Sequence, residues 1–139
     1  MMMSFSSNAL ATSKTFHQAL EALILQSKVP QDRNHHTLNV KDRSYTPQDG
    51  GYHPVEIRIE RINQKWTICY ITEFAYIGGD YPELAIELDF NIEHNYFEQM
   101  FSTPTCLDTP SVRSFYTLWE SNFLSYLEQG AFDDIRVSA

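Results

Sequence analysis

Apolar positions along this chain fall into two helical stripes that enclose several stretches of strict alternation. Phe16, Leu20, Leu23 and Ile24 recur at helical spacing behind Ser13, a good N-cap residue. The pattern predicts an amphipathic helix over 13–27, with His17 and Glu21 on its polar side. "TLNV", with Leu38 and Val40 pointing one way, predicts a short strand, and "SYTPQDGG" after it is turn chemistry. Val55, Ile57 and Ile59 then alternate with Glu56, Arg58 and Glu60, and "KWTICYITEFAY" follows after Asn63-Gln64. If those two residues form a hairpin loop, Arg61 faces Trp66, Ile59 faces Ile68, Ile57 faces Tyr70 and Val55 faces Thr72. That register gathers the apolar residues on one face.

Further along, Leu84, Ile86, Leu88, Phe90 and Ile92 alternate with polar or small residues, which predicts a strand over 84–92. Residues 93–107 read as irregular or as a short helical turn. Thr109-Pro110 is an N-cap and first-turn pair, after which Val112, Phe115, Tyr116, Trp119, Phe123, Tyr126 and Leu127 line one stripe up to Gly130. Ile135 and Val137 predict a last short strand. The order is that of an α+β fold: an antiparallel sheet of about four to five strands with a meander core, and an N-terminal and a C-terminal helix packed on one face. The 139 residues fit a single domain over 13–139 behind a disordered or loosely held segment 1–12.

Charge changes the picture more than composition does. The net charge is −8, yet Trp66 to Val112 contains no Lys or Arg and eight acids, which leaves ten acids against ten bases elsewhere. This argues against direct nucleic-acid binding and for a basic protein partner. Glu83, Glu87 and Asp89, sharing a sheet face with Glu73, are the expected partner surface. Cys69 and Cys106 show no disulfide or CxxC spacing, the N-terminus shows no export signal, and no apolar run is long enough for a membrane span. A cytoplasmic location is expected.

The least ordinary stretch is "DGGYHPVEIRIE". Gly50-Gly51-Tyr52-His53-Pro54 leads into one strand, and Gly78-Gly79-Asp80-Tyr81-Pro82 leads into another. In a meander both lead-ins sit at the same end of the sheet. That end gathers Asp49, Tyr52, His53, Glu73, Tyr76, Asp80 and Tyr81 as a candidate ligand-binding group: tyrosines to stack, carboxylates to accept, a histidine to titrate. Asp49, His53 and Glu73 could make an acid–base set, but no nucleophile or oxyanion hole stands beside them, so no catalytic residue is assigned. The glycine pairs precede strands and lack a following Lys, which excludes a phosphate-cradling loop. His35 and His36 are adjacent and His94 stands alone, so neither a metal site nor a cofactor is expected from spacing. Cys69, Ile71 and Ala75 fall on the nominally wet face, joined by Ala85, and a homodimer through this apolar strip is one way to cover it.

"KDRSYTPQDGGYHPVEIRIE", "ICYITEFAYIGGDYPELA" and "LWESNFLSYLEQG" together resemble DUF2787, a bacterial family of uncharacterised proteins. The resemblance runs from about Asp32 to the C-terminus and carries over no catalytic residue. Two readings of function follow. The first is a non-enzymatic interaction or accessory module that binds through an acidic sheet face. The alternative is a small-ligand binder or enzyme at the sheet end around Tyr52, His53 and Tyr81. An enclosed pocket at that end favours the second, and a flat acidic face favours the first.

Overall fold

The structure is a computed structural model describing residues 3–30 and 32–138. Helix α1 (Lys14–Ser27) starts where Ser13 accepts the amide of Phe16, and it buries Phe16, Leu20 and Ile24. Strands β1 (His35–Lys41), β2 (Val55–Ile62), β3 (Lys65–Ile77) and β4 (Glu83–Asn91) form an antiparallel meander. Two shorter strands, β5 (Tyr96–Gln99) and β6 (Thr105–Cys106), extend it on one side. Helix α2 (Pro110–Glu128) crosses the sheet, and β7 (Asp134–Ser138) pairs with β1 at the other edge. The α+β class stands, with a sheet of seven strands in the order β6-β5-β4-β3-β2-β1-β7 rather than four to five. The added strands lie in 93–107, where four and two residues are too few to show a period.

Asn63 and Gln64 make the first hairpin turn with φ of 52° and 66°, the left-handed pair that a two-residue loop requires. Near that turn the register is the expected one: Arg61 faces Trp66 and Ile59 faces Ile68. Beyond it the register slips, because Cys69 is an extra residue in β3. Arg58 faces Tyr70, Ile57 faces Ile71 and Val55 faces Glu73. One inserted residue moves every later side chain of the strand to the other face. Ile71 therefore enters the core at 1% exposure, Cys69 and Ala75 are buried too, and the expected exposed strip for a homodimer does not exist.

A second bulge lies in β4. Glu73 faces Leu88 but Phe74 faces Ile86, so Glu87 is the extra residue. The five alternating apolar residues of this segment consequently do not share a face. Leu88 and Phe90 are buried under α2, whereas Leu84 and Ile86 are 46% and 48% exposed. Both bulged residues use their freed carbonyls: Cys69 accepts the amide of Glu93, and Glu87 that of Met100.

The core lies between the sheet and the two helices. Trp119 stacks on Phe123 with centroids 5.0 Å apart, and edge contacts join it to Phe16 and Phe90. Buried Glu120 ties the helices together by accepting the amide of Ser13 and the hydroxyl of Tyr116, both at 2.9 Å. Helix α2 ends in a Schellman turn: Gly130, at φ 75°, donates to Leu127 O and Ala131 donates to Tyr126 O.

Residues 3–12 make contacts with the sheet and α1. Met3 and Leu10 are buried, Ser6 donates to Trp66 O, and Trp66 donates to Ser4 O. The segment also covers the side of α1 expected to be wet. His17 stacks on Phe5 at 4.5 Å and meets Thr12 Oγ1 at 2.7 Å, while Glu21 accepts the amide of Met3. No helix among the described residues is long and apolar enough to cross a membrane.

Two predictions follow from this packing. Trp119→Ala is expected to cost about 3–5 kcal/mol in denaturant unfolding, and a loss below roughly 1 kcal/mol would show that the helix faces elsewhere. The second concerns acid. His36, stacked on Trp66, is held below the ordinary value of 6.5 by burial first, then by His35 and Arg58. His17 is lowered by burial against an opposing pull from Glu120. The unfolded chain therefore takes up protons that the fold resists. Stability should be full above about pH 6.5 and decline as pH falls from there toward the lowered folded values. Unfolding midpoints between about pH 5 and 8 test this, and His36→Phe should flatten the decline.

Candidate functional site

The chain between β1 and β2 is folded by short polar groups. Asp42 accepts the amide and hydroxyl of Ser44 on one oxygen and the amide of Tyr52 on the other. The Ser44 hydroxyl and the Tyr52 amide hold that carboxyl below its usual value. Gly51, at φ 142°, passes so close to Tyr45 that a Cβ would meet the Tyr45 Cα at 2.8 Å. This close pass aims Tyr52 at α2, where its ring meets Tyr126 at 4.8 Å and Phe132 at 6.0 Å. The next residue, His53, meets the ring of Tyr45 at 5.0 Å. Tyr45 also holds the exposed end of β3, its hydroxyl accepting the amide of Tyr76 at 2.9 Å.

The two bulges bring acids to His53. After Cys69, Glu73 points toward α2, and the Trp119 indole N–H donates to its Oε1 at 2.9 Å. The bulge at Glu87 turns that side chain to the same place, a known use of an extra residue in a strand. His53 Nδ1 lies 2.6 Å from Glu87 Oε2 and 3.2 Å from Glu73 Oε2. Burial raises the Glu73 carboxyl above its usual value; the Trp119 N–H opposes this, nearby Glu87 adds to it, and His53 opposes it. His53 and Glu73 line a cleft of about 380 Å³ between α2 and the start of β2, and Glu87 reaches His53 from beside it. Tyr52, Trp119, Tyr126 and Phe132 form its aromatic sides.

Of the residues expected at this sheet end, the structure joins Tyr52, His53 and Glu73 in the cleft and places Tyr76 beside it through Tyr45. The others lie apart. Asp49 caps the 46–50 turn, its amide donating to Thr46 Oγ1. Asp80 and Tyr81 form an exposed turn, with Tyr81 89% exposed. The expected partner surface also divides. Glu83 is exposed and Glu87 meets His53. Asp89, expected on the surface, is 8% exposed and accepts from Thr72 and Tyr96 on the sheet's opposite face. Sequence reasoning missed Tyr45, Glu87 as a neighbour of His53, and Trp119 as a donor. Only Tyr45 left a trace, as the aromatic in a turn-rich loop.

Cys69 is buried, and its thiol is pushed up to about 12, first by burial and then by Glu60 and Glu93, which makes it inert at neutral pH.

A family described as protein of unknown function, DUF2787, matches residues 14–138. The chain belongs to this family. Two solved structures, both from pathogenicity islands of Vibrio cholerae, share its fold along almost the entire length. The hypothetical protein VC0508 of island VSP-II has a TM-score of 0.89 at 33% identity, covering 98% of this chain and 100% of that one. The conserved hypothetical protein VC1805 of island VPI-2, described as sharing structural homology with the human P32 protein, has a TM-score of 0.85 at 36% identity. That alignment covers 96% of this chain and 99% of the other. No functionally curated protein matches the chain.

Glu73 leaves a stability test. Glu73→Ala should cost about 1–3 kcal/mol, because it strands the buried indole N–H of Trp119, whereas Glu73→Gln keeps an acceptor there and should cost less. Equal losses in urea unfolding would show that the hydrogen bond contributes nothing.

Proposed function

We propose that this DUF2787 protein is a binding protein that takes a small ligand in the cleft between α2 and β2. One observation carries the reading: aromatic sides formed by Tyr52, Tyr126 and Phe132 converge on a polar floor of His53 and Glu73. A concave, mostly apolar site with few convergent polar groups is the usual form of a small-molecule pocket, and the volume suits a ligand of one or two rings. The aromatic sides would cover the ligand's flat body, and the floor would hold its polar head.

An acidic sheet face for a basic protein partner has less support. Asp89 is committed to Thr72 and Tyr96, Glu73 lines the cleft, and Glu87 is held by His53. Its cysteines, Cys69 buried and Cys106 exposed with neither in a disulfide, suit a reducing cytoplasm.

Benzoate and benzylamine serve as probes for this site in two-dimensional amide and indole NMR. The chain has two tryptophans, so the Trp119 indole signal is easily separated from that of Trp66. A probe should shift the Trp119 indole and the Tyr52 and His53 amides, and Tyr126→Ala should remove the effect while leaving the spectrum folded. Shifts that ignore Tyr126→Ala, or that map to the opposite sheet face, would refute the reading.

A further inference from the structure

We propose that His53, Glu73 and Glu87 form a site for a divalent transition-metal ion at the floor of the cleft. This inference deepens the reading of that cleft as a ligand site and names how the ligand's head is held.

The donor atoms are already gathered. One imidazole nitrogen and two carboxylate oxygens lie within 4.8 Å of one another. A tetrahedral ion at about 2.0–2.1 Å sets neighbouring donors roughly 3.3 Å apart. The separation of 3.2 Å between His53 Nδ1 and Glu73 Oε2 matches that spacing, and the 2.6 Å to Glu87 Oε2 must open by less than 1 Å.

Charge favours the same conclusion. Among the described residues, His53 is the only base within ion-pair distance of either carboxylate, so two acids share a single base. The cluster also differs from an ordinary patch of surface acids, because each donor comes from a fixed element. Glu73 is oriented by the Trp119 N–H on its other oxygen, the kind of outer hydrogen bond that positions a metal ligand. His53 is backed by the Tyr45 ring, and Glu87 is held in place by its bulge. Two of the three protein ligands, His53 and Glu73, line the open cleft, which leaves a coordination position for an outside donor, the arrangement of metal sites that bind or activate ligands. The mixed nitrogen and oxygen set suits Zn2+ or Mn2+ better than Mg2+ or Ca2+, which prefer oxygen alone. The ligand class that follows is an aromatic molecule with a carboxylate or similar oxygen donor, its ring against the aromatic side formed by Tyr52, Tyr126 and Phe132 and its head on the ion.

The test uses the full chain, free of any histidine tag and stripped with chelator, in calorimetric titrations with Zn2+ and Mn2+. One equivalent should bind, and Glu87→Gln and His53→Gln should each weaken binding at least about tenfold, while His94→Gln changes nothing. If either variant unfolds, wild-type protein alone decides. Substoichiometric Mn2+ should broaden the Trp119 indole signal and leave that of Trp66, at the far end of β3, sharp. Absence of uptake, binding unchanged in both variants, preference for Mg2+ or Ca2+, or broadening of Trp66 near His35 and His36 would overturn the proposal. Benzoate titrated with and without Zn2+ separates the two readings. Metal uptake with no benzoate effect keeps the ion and removes the ligand cleft; benzoate shifts in chelator without metal uptake do the reverse.

Discussion

Two extra residues in the sheet, Cys69 in β3 and Glu87 in β4, determine which side chains meet the helices and which meet water. Side chains of a strand alternate, so a single inserted residue exchanges the two faces for everything beyond it. Past Cys69, Ile71 turns inward to join Ile57 and Phe90, and Glu73 turns inward after it. Past Glu87, moving toward the start of β4, Ile86 and Leu84 turn outward. The sheet is therefore ordinary at the hairpin end and inverted at the cleft end, where an acid replaces an apolar residue beneath α2.

That acid would be costly in an apolar core, and the aromatic helix is what makes it tolerable. Trp119 stacks on Phe123 and meets Phe90 edge-on, yet it keeps its one polar atom for Glu73. A buried carboxylate needs hydrogen bonds to offset lost water, and the indole N–H, His53 and the open cleft supply them. Glu120, the residue after Trp119, solves the same problem by accepting from Ser13 and Tyr116, but it does not line the cleft and its carboxylate acts as a tie between helices. The two acids on or beneath one helix thus have different roles because one is sealed and one is open.

The loop from Asp42 to His53 completes the arrangement from the other side. Asp42 shapes the loop through Ser44 and Tyr52, Gly51 lets it pass against Tyr45, and Tyr45 caps β3 where β2 no longer pairs with it. His53 thus sits between a rigid loop and two bulged strands. The two Vibrio cholerae structures share the overall fold over nearly all of the chain's length.

The sequence by itself determined the helices, the four longest strands and the first hairpin, because periodicity, caps and a two-residue loop are local signals. It also marked Tyr52, His53 and Glu73, since glycines and proline before a strand stand out in any chain. It could not locate the bulges. Nothing in "TICYIT" or "AIELDF" says that one residue is left unpaired; that is settled by what each face must bury once α2 and the neighbouring strands are in place. Reading unbroken alternation therefore put Ile71 on the wet face, Asp89 on the surface and Glu87 with the partner-surface acids rather than beside His53. The partners of Glu73 lie 20 residues away at His53 and 46 away at Trp119, and only tertiary packing could join them.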